Sequence, residues 1–251
     1  MIPITDLQQH LDALLQPERF RDYGPNGLQV EGRRPVRHLV SGVTASLALI
    51  EAAIAQNADA ILVHHGLFWR GHDGRLTGWL RERVQRLMVH DVHLLAYHLP
   101  LDAHPTLGNN AQLGERLGWR AEGLFGEQDL GVIGRAVDGP CDPATTIARI
   151  GSVLGRAPTA VLPDPVRPWR RLAWCSGGAQ GYFEAAIAAG ADVFLTGEMS
   201  EPQAHLAREC GVAFLACGHH ATERYGAPAV AAQAAQSLGL THAFIDIDNP
   251  A

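Results

Sequence analysis

Three short stretches of this chain carry side chains that bind metal ions. They are His64-His65-Gly66, His98-Leu99-Pro100-Leu101-Asp102 and His219-His220-Ala221-Thr222-Glu223. Imidazole and carboxylate donors without thiolate suit Zn²⁺, Mn²⁺, Fe²⁺, Co²⁺ or Ni²⁺. Each stretch also has a plainer reading. An isolated His-His pair on a turn is more often hydrogen-bonded to carbonyls than bound to metal. Asp102 suits a cap for the turn at Ala103-His104-Pro105. Glu223 suits the first turn of a helix, where an acid offsets the dipole. Three independent plain explanations are harder to hold together. Each stretch follows a segment that reads as a strand, and open α/β sheets bind ligands beyond the carboxyl ends of their strands. The second and third stretches share a spacing, a histidine and then an acid four residues later. Two histidines, an aspartate, a third histidine and a glutamate exceed the three protein ligands usual for one open catalytic zinc. They suit two ions about 3.5–4 Å apart that share a carboxylate.

The elements that must position these groups follow from periodicity. Residues 4–15 place Ile4, Leu7, Leu11, Leu14 and Leu15 on one helical face. The run 23–32, YGPNGLQVEG, reads as a turn-rich loop. Strand 38–43, helix 46–57, strand 59–63, helix 76–89, strand 92–97 and helix 107–117 then alternate. Pro100 argues for a shaped turn rather than a regular helix after the third of these strands. The second half repeats the rhythm, with a helix over 143–154, strands over 172–175, 193–195 and 212–217, helices over 180–189 and 201–209, and an alanine-rich helix over 221–238. The repeat is visible in residues too. Between 51–65 and 184–198, eight of fifteen positions are identical, including Glu51-Ala52-Ala53-Ile54-Ala55 against Glu184-Ala185-Ala186-Ile187-Ala188, and Asp59 against Asp192. The expected fold is α/β, with two similar lobes of mostly parallel strands flanked by helices. The boundary is placed at 125/126. The first lobe carries His64, His65 and Asp102, the second His219 and Glu223, and the C-terminal helix can pack back on the first lobe.

Composition excludes several classes. Of 251 residues, 47% are hydrophobic and 18% charged, which fits an ordered globular chain. Twenty Lys and Arg against 26 Asp and Glu leave a formal charge of −6, which disfavours stable nucleic-acid binding. No apolar run approaches the length of a membrane span, and the N-terminus does not read as a signal peptide. Cys141, Cys175, Cys210 and Cys217 form no C-x-x-C pair, so they read as reduced thiols of a cytoplasmic protein.

The combination of Asn26-Gly27-Leu28-Gln29-Val30-Glu31-Gly32, Val63-His64-His65-Gly66, the His98–Asp102 turn, Thr196-Gly197-Glu198 and Gly218-His219-His220-Ala221-Thr222-Glu223 resembles the GTP cyclohydrolase 1 type 2 family, also called Nif-three-like. The resemblance runs from about residue 4 to the C-terminus. It implies two divalent ions per subunit held by His64, His65, Asp102, His219 and Glu223, with Glu223 bridging them. It also implies a toroidal homohexamer with its metal sites facing an inner cavity. Many members have His-Thr-Asn-Leu-Asp where this chain has His98-Leu99-Pro100-Leu101-Asp102. The outer histidine and aspartate are kept, and the changed middle bears on substrate preference.

A pair of divalent ions activates water for hydrolytic attack near neutral pH. The resemblance implies GTP as substrate, opened at C8 of the guanine ring to give formate and dihydroneopterin triphosphate. His98 is the candidate catalytic residue, a proton shuttle, with support of Asp102 as its alternative role. Ser176-Gly177-Gly178 could offer amides to a phosphate, although tight strand-to-helix packing is the preferred reading. Glu198 falls at the repeat position of His65 and could contact substrate or accept a hydrogen bond. His220 is given no metal. The other histidines read as structural or surface residues, and the five tryptophans as core or interface anchors. A metal-dependent phosphoesterase and a non-catalytic metal-binding assembly protein are the alternative functions.

Overall fold

The computed structural model describes residues 1–251. The chain begins with α1 (Ile4–Leu15), which buries Ile4, Leu7, Leu11 and Leu15. Next come β1 (Gly27–Val30), β2 (His38–Thr44), α2 (Leu47–Ala55), β3 (Ala60–His65), α3 (Gly78–Val89), β4 (His93–Ala96) and the short α4 (Leu99–Ala103). The second unit contains α5 (Asn109–Leu117), β5 (Trp119–Phe125), β6 (Gly131–Ala136), α6 (Pro143–Leu154), β7 (Thr159–Val161), β8 (Leu172–Trp174), α7 (Phe183–Ala188), β9 (Val193–Thr196), α8 (Glu201–Cys210), β10 (Ala213–Ala216) and α9 (His219–Glu223). The chain then supplies α10 (Gly226–Leu238) and β11 (Thr241–Phe244) to the first unit.

The first unit comprises Met1–Gly108 and Gly226–Asp248, the second Asn109–Tyr225 and Asn249–Ala251. The boundary therefore falls at 108/109 and not at the expected 125/126. The reason is pairing: β5 forms an antiparallel ladder with β6, so residues 119–125 belong to the second sheet. In the same way β11 pairs in parallel with β2, and α10 packs on β2 and β3.

The first sheet has the order β1-β4-β3-β2-β11. Only its β1 edge is antiparallel. Strand alternation sends Val40, Ile61, Val63 and Leu94 to a core with α2 and α3, which contribute Leu49, Ile50, Leu80 and Leu87. Leu39, Ala60, Leu62 and Leu95 face the opposite core with α1 and α10. Strands apolar on both faces are those of a sheet covered on both sides.

The second sheet has the order β5-β6-β8-β9-β10-β7. Its centre, β8-β9-β10, is parallel. The expected mostly parallel arrangement holds for that centre and for the first sheet, whereas β5, β6 and β7 add antiparallel pairings. Trp119, Trp169 and Trp174 lie in this unit's core with Leu172, Leu195 and Leu215.

The internal repeat is structural. β2-α2-β3-α3-β4-α4 and β8-α7-β9-α8-β10-α9 run in the same order, and each ends in a five-residue helix. The repeated aspartate has one role in both units. Asp59 Oδ2 accepts the N–H groups of Arg37 and His38 at 2.8 and 3.0 Å. Asp192 Oδ2 accepts those of Arg170 and Arg171 at 2.8 and 2.9 Å. Each carboxylate thus ties the turn after a helix to the start of the neighbouring strand.

Three local expectations change. Gly27–Val30, read as loop, is an edge strand with an irregularity between Leu28 and Val30. The residues after β4 form one helical turn despite Pro100, which sits in the first turn where its missing N–H costs nothing. The helix expected over 221–238 is two helices, interrupted at Arg224 and Tyr225.

Candidate metal centre

In the first unit β3 ends in the histidine pair and β4 leads directly to His98. His64 is wholly buried and Asp102 is 8% exposed, so neither is an ordinary surface polar residue. Ring nitrogens of His64, His65 and His98 lie within 4.8 Å of one another. The His64 and His65 rings are 4.5 Å apart at 41°, and the His64 and His98 rings 4.9 Å apart at 33°. Asp102 Oδ1 stands 3.5 Å from His64 Nε2. Asp102 is therefore turned to the histidines. The turn after it is held by His104 Nδ1, which accepts from Thr106 and Leu107 at 3.3 and 3.1 Å.

The Nδ1 atoms of all three histidines are committed behind the site. His64 Nδ1 donates to the Tyr97 carbonyl at 3.1 Å, and His65 Nδ1 shares a hydrogen bond with the Thr44 hydroxyl at 3.1 Å. His98 Nδ1 donates to Asp22 Oδ1 at 2.7 Å. An imidazole that donates through Nδ1 carries its lone pair on Nε2, the tautomer that metal-ligating histidines use. His93 shows the contrast. Its Nδ1 accepts from Gly32 at 3.0 Å and its Nε2 donates to the Arg34 carbonyl at 2.8 Å, so both ring nitrogens serve the backbone.

Several positioning residues escape a reading by residue type. Asn26 Oδ1 accepts the His98 N–H at 2.8 Å, and Gln29 Oε1 accepts the Leu67 N–H at 2.8 Å. The Asn26–Gln29 segment thus clamps both histidine-bearing turns. A Cβ on Gly66 would fall on the Gln29 amide, so glycine is required there for the clamp to close. Trp69, read as a core or interface anchor, stands edge-on to His98 at 5.1 Å and 88°. The Asp22 carboxyl is held below its ordinary value. Burial opposes its ionisation, and the hydrogen bonds from His98, Asn26 and the Tyr23 N–H outweigh it. A cleft of about 10 Å³ between Asn26, Gln29, His64, Trp69 and His98 has room for about one water. The larger groove of about 710 Å³, lined by Met1–Ile4, Glu31–Pro35 and His93, contains none of the candidate ligands.

In the second unit α9 places His219 and Glu223 at i and i+4, with His219 Nε2 3.0 Å from Glu223 Oε2. His219 Nδ1 donates to Glu198 Oε1 at 2.6 Å. Glu198 therefore orients the histidine from behind. Burial disfavours the imidazolium, but Glu223 and Glu198 together push the His219 pKa up to about 9 in the metal-free chain. The Ser176-Gly177-Gly178 turn serves packing. The Ser176 N–H donates to Asn110 Oδ1 and the Gly177 N–H to Thr222 Oγ1, at 2.8 and 2.9 Å. Gly197 is pressed between Gly177 and His219, where a Cβ would meet backbone at 2.6 Å. The backbone N–H of His220 donates to the Ala251 carbonyl at 3.2 Å. Buried Cys217, its thiol pushed up to about 12 by burial, is not a reactive group.

The donor set is nitrogen and oxygen only, carboxylates beside imidazoles, and it fits divalent ions. His64, His65 and Asp102 lie in the first unit, and His219 and Glu223 in the second.

Comparison with known proteins agrees with the fold and with the family resemblance. The family model Duf34/NIF3 (NGG1p interacting factor 3) matches residues 2–250. A protein of Neisseria meningitidis serogroup B named "GTP cyclohydrolase 1 type 2 homolog" is 51% identical over the whole of both chains. The solved structure titled "Structural genomics, protein ybgI, unknown function" is 43% identical, covers all of both chains and superposes with a TM-score of 0.95. TTHA1606 from Thermus thermophilus is 32% identical with a TM-score of 0.88, covering 98% of this chain and 99% of its own. With a family match across nearly every residue and a relative sharing half of its sequence, the chain belongs to the DUF34/NIF3 family.

Proposed function

We propose that this protein is a hydrolase that uses two divalent ions to open GTP, releasing formate. The observation that carries the reading is that His64, His65 and His219 each have Nδ1 tied off from behind, together with buried Asp102 and Glu223. In this reading His64, His65, Asp102, His219 and Glu223 are the side chains that would hold the two ions. Bound ions of this kind supply Lewis acidity and a water of lowered pKa. The chain's own groups do the rest. Tyr97, Thr44 and Glu198 orient the ligating imidazoles, and Nε2 of His98 accepts or returns a proton at the reacting water. His98 gives Asp102 no support through Nδ1, because that atom is already bonded to Asp22. The relative from Neisseria, by its name, supports the choice of substrate. The family resemblance further supports assembly as a homohexamer, which a monomeric mass by light scattering would overturn.

The test is formate release from GTP by metal-reconstituted protein, with Asp102→Ala as control. Metal-dependent formate lost in the variant is the expected result. No formate with Zn²⁺ or Mn²⁺, despite two bound ions, would reject GTP as substrate. Phosphate release in its place would identify a phosphoesterase, and no release of either would favour a metal-binding role without turnover.

A further inference from the structure

We propose that Asp22 is the positioning residue for His98, holding the imidazole in the tautomer whose Nε2 lone pair faces the metal centre. The inference rests on the proposed hydrolytic role of His98 and adds the residue that makes that role available. Asp22 lies in the segment before β1 and belongs to none of the sequence motifs above.

The geometry is that of a fixed acceptor. The Asp22 side chain is 4% exposed. Its Oδ1 accepts His98 Nδ1–H and the Tyr23 N–H, both at 2.7 Å. Its Oδ2 accepts the Leu99 N–H and the Asn26 amide, both at 2.9 Å. All four partners are donors, so the carboxylate must be ionised to satisfy them. The Leu99 bond and the Asn26 bond to the His98 N–H hold the backbone on both sides of the histidine. The ring therefore has its position, rotation and tautomer set by one buried group and its neighbours. Its other nitrogen is left to the cluster with His64 and His65.

The second unit uses the same device. His98 and His219 follow corresponding strands, β4 and β10, and each precedes an acid by four residues. Each imidazole places Nδ1 on a carboxylate, Asp22 in one and Glu198 in the other, at 2.7 and 2.6 Å. A carboxylate behind an imidazole selects the Nδ1–H tautomer and fixes the ring plane. Asparagine at position 22 has one oxygen for four donors. Its NH₂ group must face either a backbone N–H or the ring, and facing the ring reverses the tautomer.

The experiment uses full-length, Zn²⁺-loaded protein labelled with ¹⁵N-histidine, and long-range ¹H–¹⁵N correlation to read the tautomer of His98, assigned by its loss in His98→Ala. In the unsubstituted protein the expected state is Nδ1–H, with a downfield proton from the carboxylate bond. An Nε2–H tautomer, or no such proton, overturns the proposal without any variant. In Asp22→Asn the expected changes are loss of that proton, two retained zinc ions and a fall in formate release of about 10²–10⁴-fold. The double variant Asp22→Asn/His98→Ala is expected to be no slower than His98→Ala alone. Independent, multiplying losses, or loss of zinc from Asp22→Asn, would overturn the positioning role. The spectroscopic arm stands even if the protein releases no formate, so failure of the inference is distinguishable from failure of the GTP reading.

Discussion

Gly177→Ala tests how closely the second unit is built around Glu223. Gly177 has φ +67°, and a Cβ there would fall on the Glu223 carboxylate, 2.8 Å from its Cδ and 3.2 Å from His219 Nε2. Two costs combine. Left-handed backbone costs an L-residue about 1–2 kcal/mol. Forcing extra volume into a packed site costs about 1–3 kcal/mol more. Gly190→Ala isolates the first cost, because Gly190 has φ +80° in the same unit and no atom within 4 Å of its Cβ position. The difference between the two variants is therefore about 1–3 kcal/mol. For a chain of this size that separates their melting temperatures by roughly 2–12 °C. Thermal unfolding followed by circular dichroism measures it, and elemental analysis of the purified proteins measures metal content. Gly177→Ala is expected to melt lower and to lose metal because Glu223 is displaced, and Gly190→Ala to keep its metal. Equal melting temperatures, with full metal in both, would refute the close-packing argument.

Other perturbations separate fold from site. Asp59→Ala and Asp192→Ala each strand two N–H groups at a strand start, so each is expected to cost about 1–3 kcal/mol in urea unfolding with metal content unchanged. Replacing His93 with Ala is expected to lower stability and leave metal loading intact, since both its ring nitrogens bond backbone. A loss of metal there would refute the tautomer argument. In the metal-free chain His219 keeps its proton to about pH 9, against an ordinary 6.5. The raised value means its ion pairs stabilise the fold fully below 6.5 and are lost as pH rises through 9. Metal binding at pH 7.5 is accordingly expected to release a proton from His219, seen by calorimetry in buffers of different ionisation enthalpy. Heats that do not vary with buffer would contradict it.

Much of this architecture is written in periodicity. The helix over 143–154 begins where Asp142 accepts the Thr145 N–H at 2.8 Å and ends at Gly155 with φ +72°, both readable as start and stop signals. Apolar β3 and the repeated Ala-Asp are equally local. The missed strands are those whose residues carry no such signal. β1 is four residues with a positive-φ glycine at its start, and its strand character comes from β4 alongside. β5 is largely exposed and held by cross-strand pairing with β6. The boundary at 108/109 was hidden for the same reason, since it depends on which sheet β5 joins.

The candidate ligands were legible as residue types, but what distinguishes them among thirteen histidines was not. The distinguishing feature is the partner of Nδ1 combined with a place in the His/Asp/Glu groups, since His38 also sets Nδ1 on a hydroxyl, Thr241 Oγ1 at 2.8 Å, away from them. Where Nδ1 of a neutral imidazole meets a carbonyl or carboxylate, as in His64 and His98, the lone pair sits on Nε2. Where Nδ1 accepts from an N–H, as in His93 and His104, the ring has turned its basic nitrogen to the backbone. Those partners come from distant positions: Tyr97 for His64, Thr44 for His65, Asp22 for His98 and Glu198 for His219. Only the folded chain brings them together, so no spacing in the sequence encodes the choice. The Asn26–Gln29 clamp follows the same logic, because its two amides act on turns some 40 and 70 residues away. Rigid loops at strand ends require such long-range ties. Otherwise the entropy of ordering them would fall on metal binding itself.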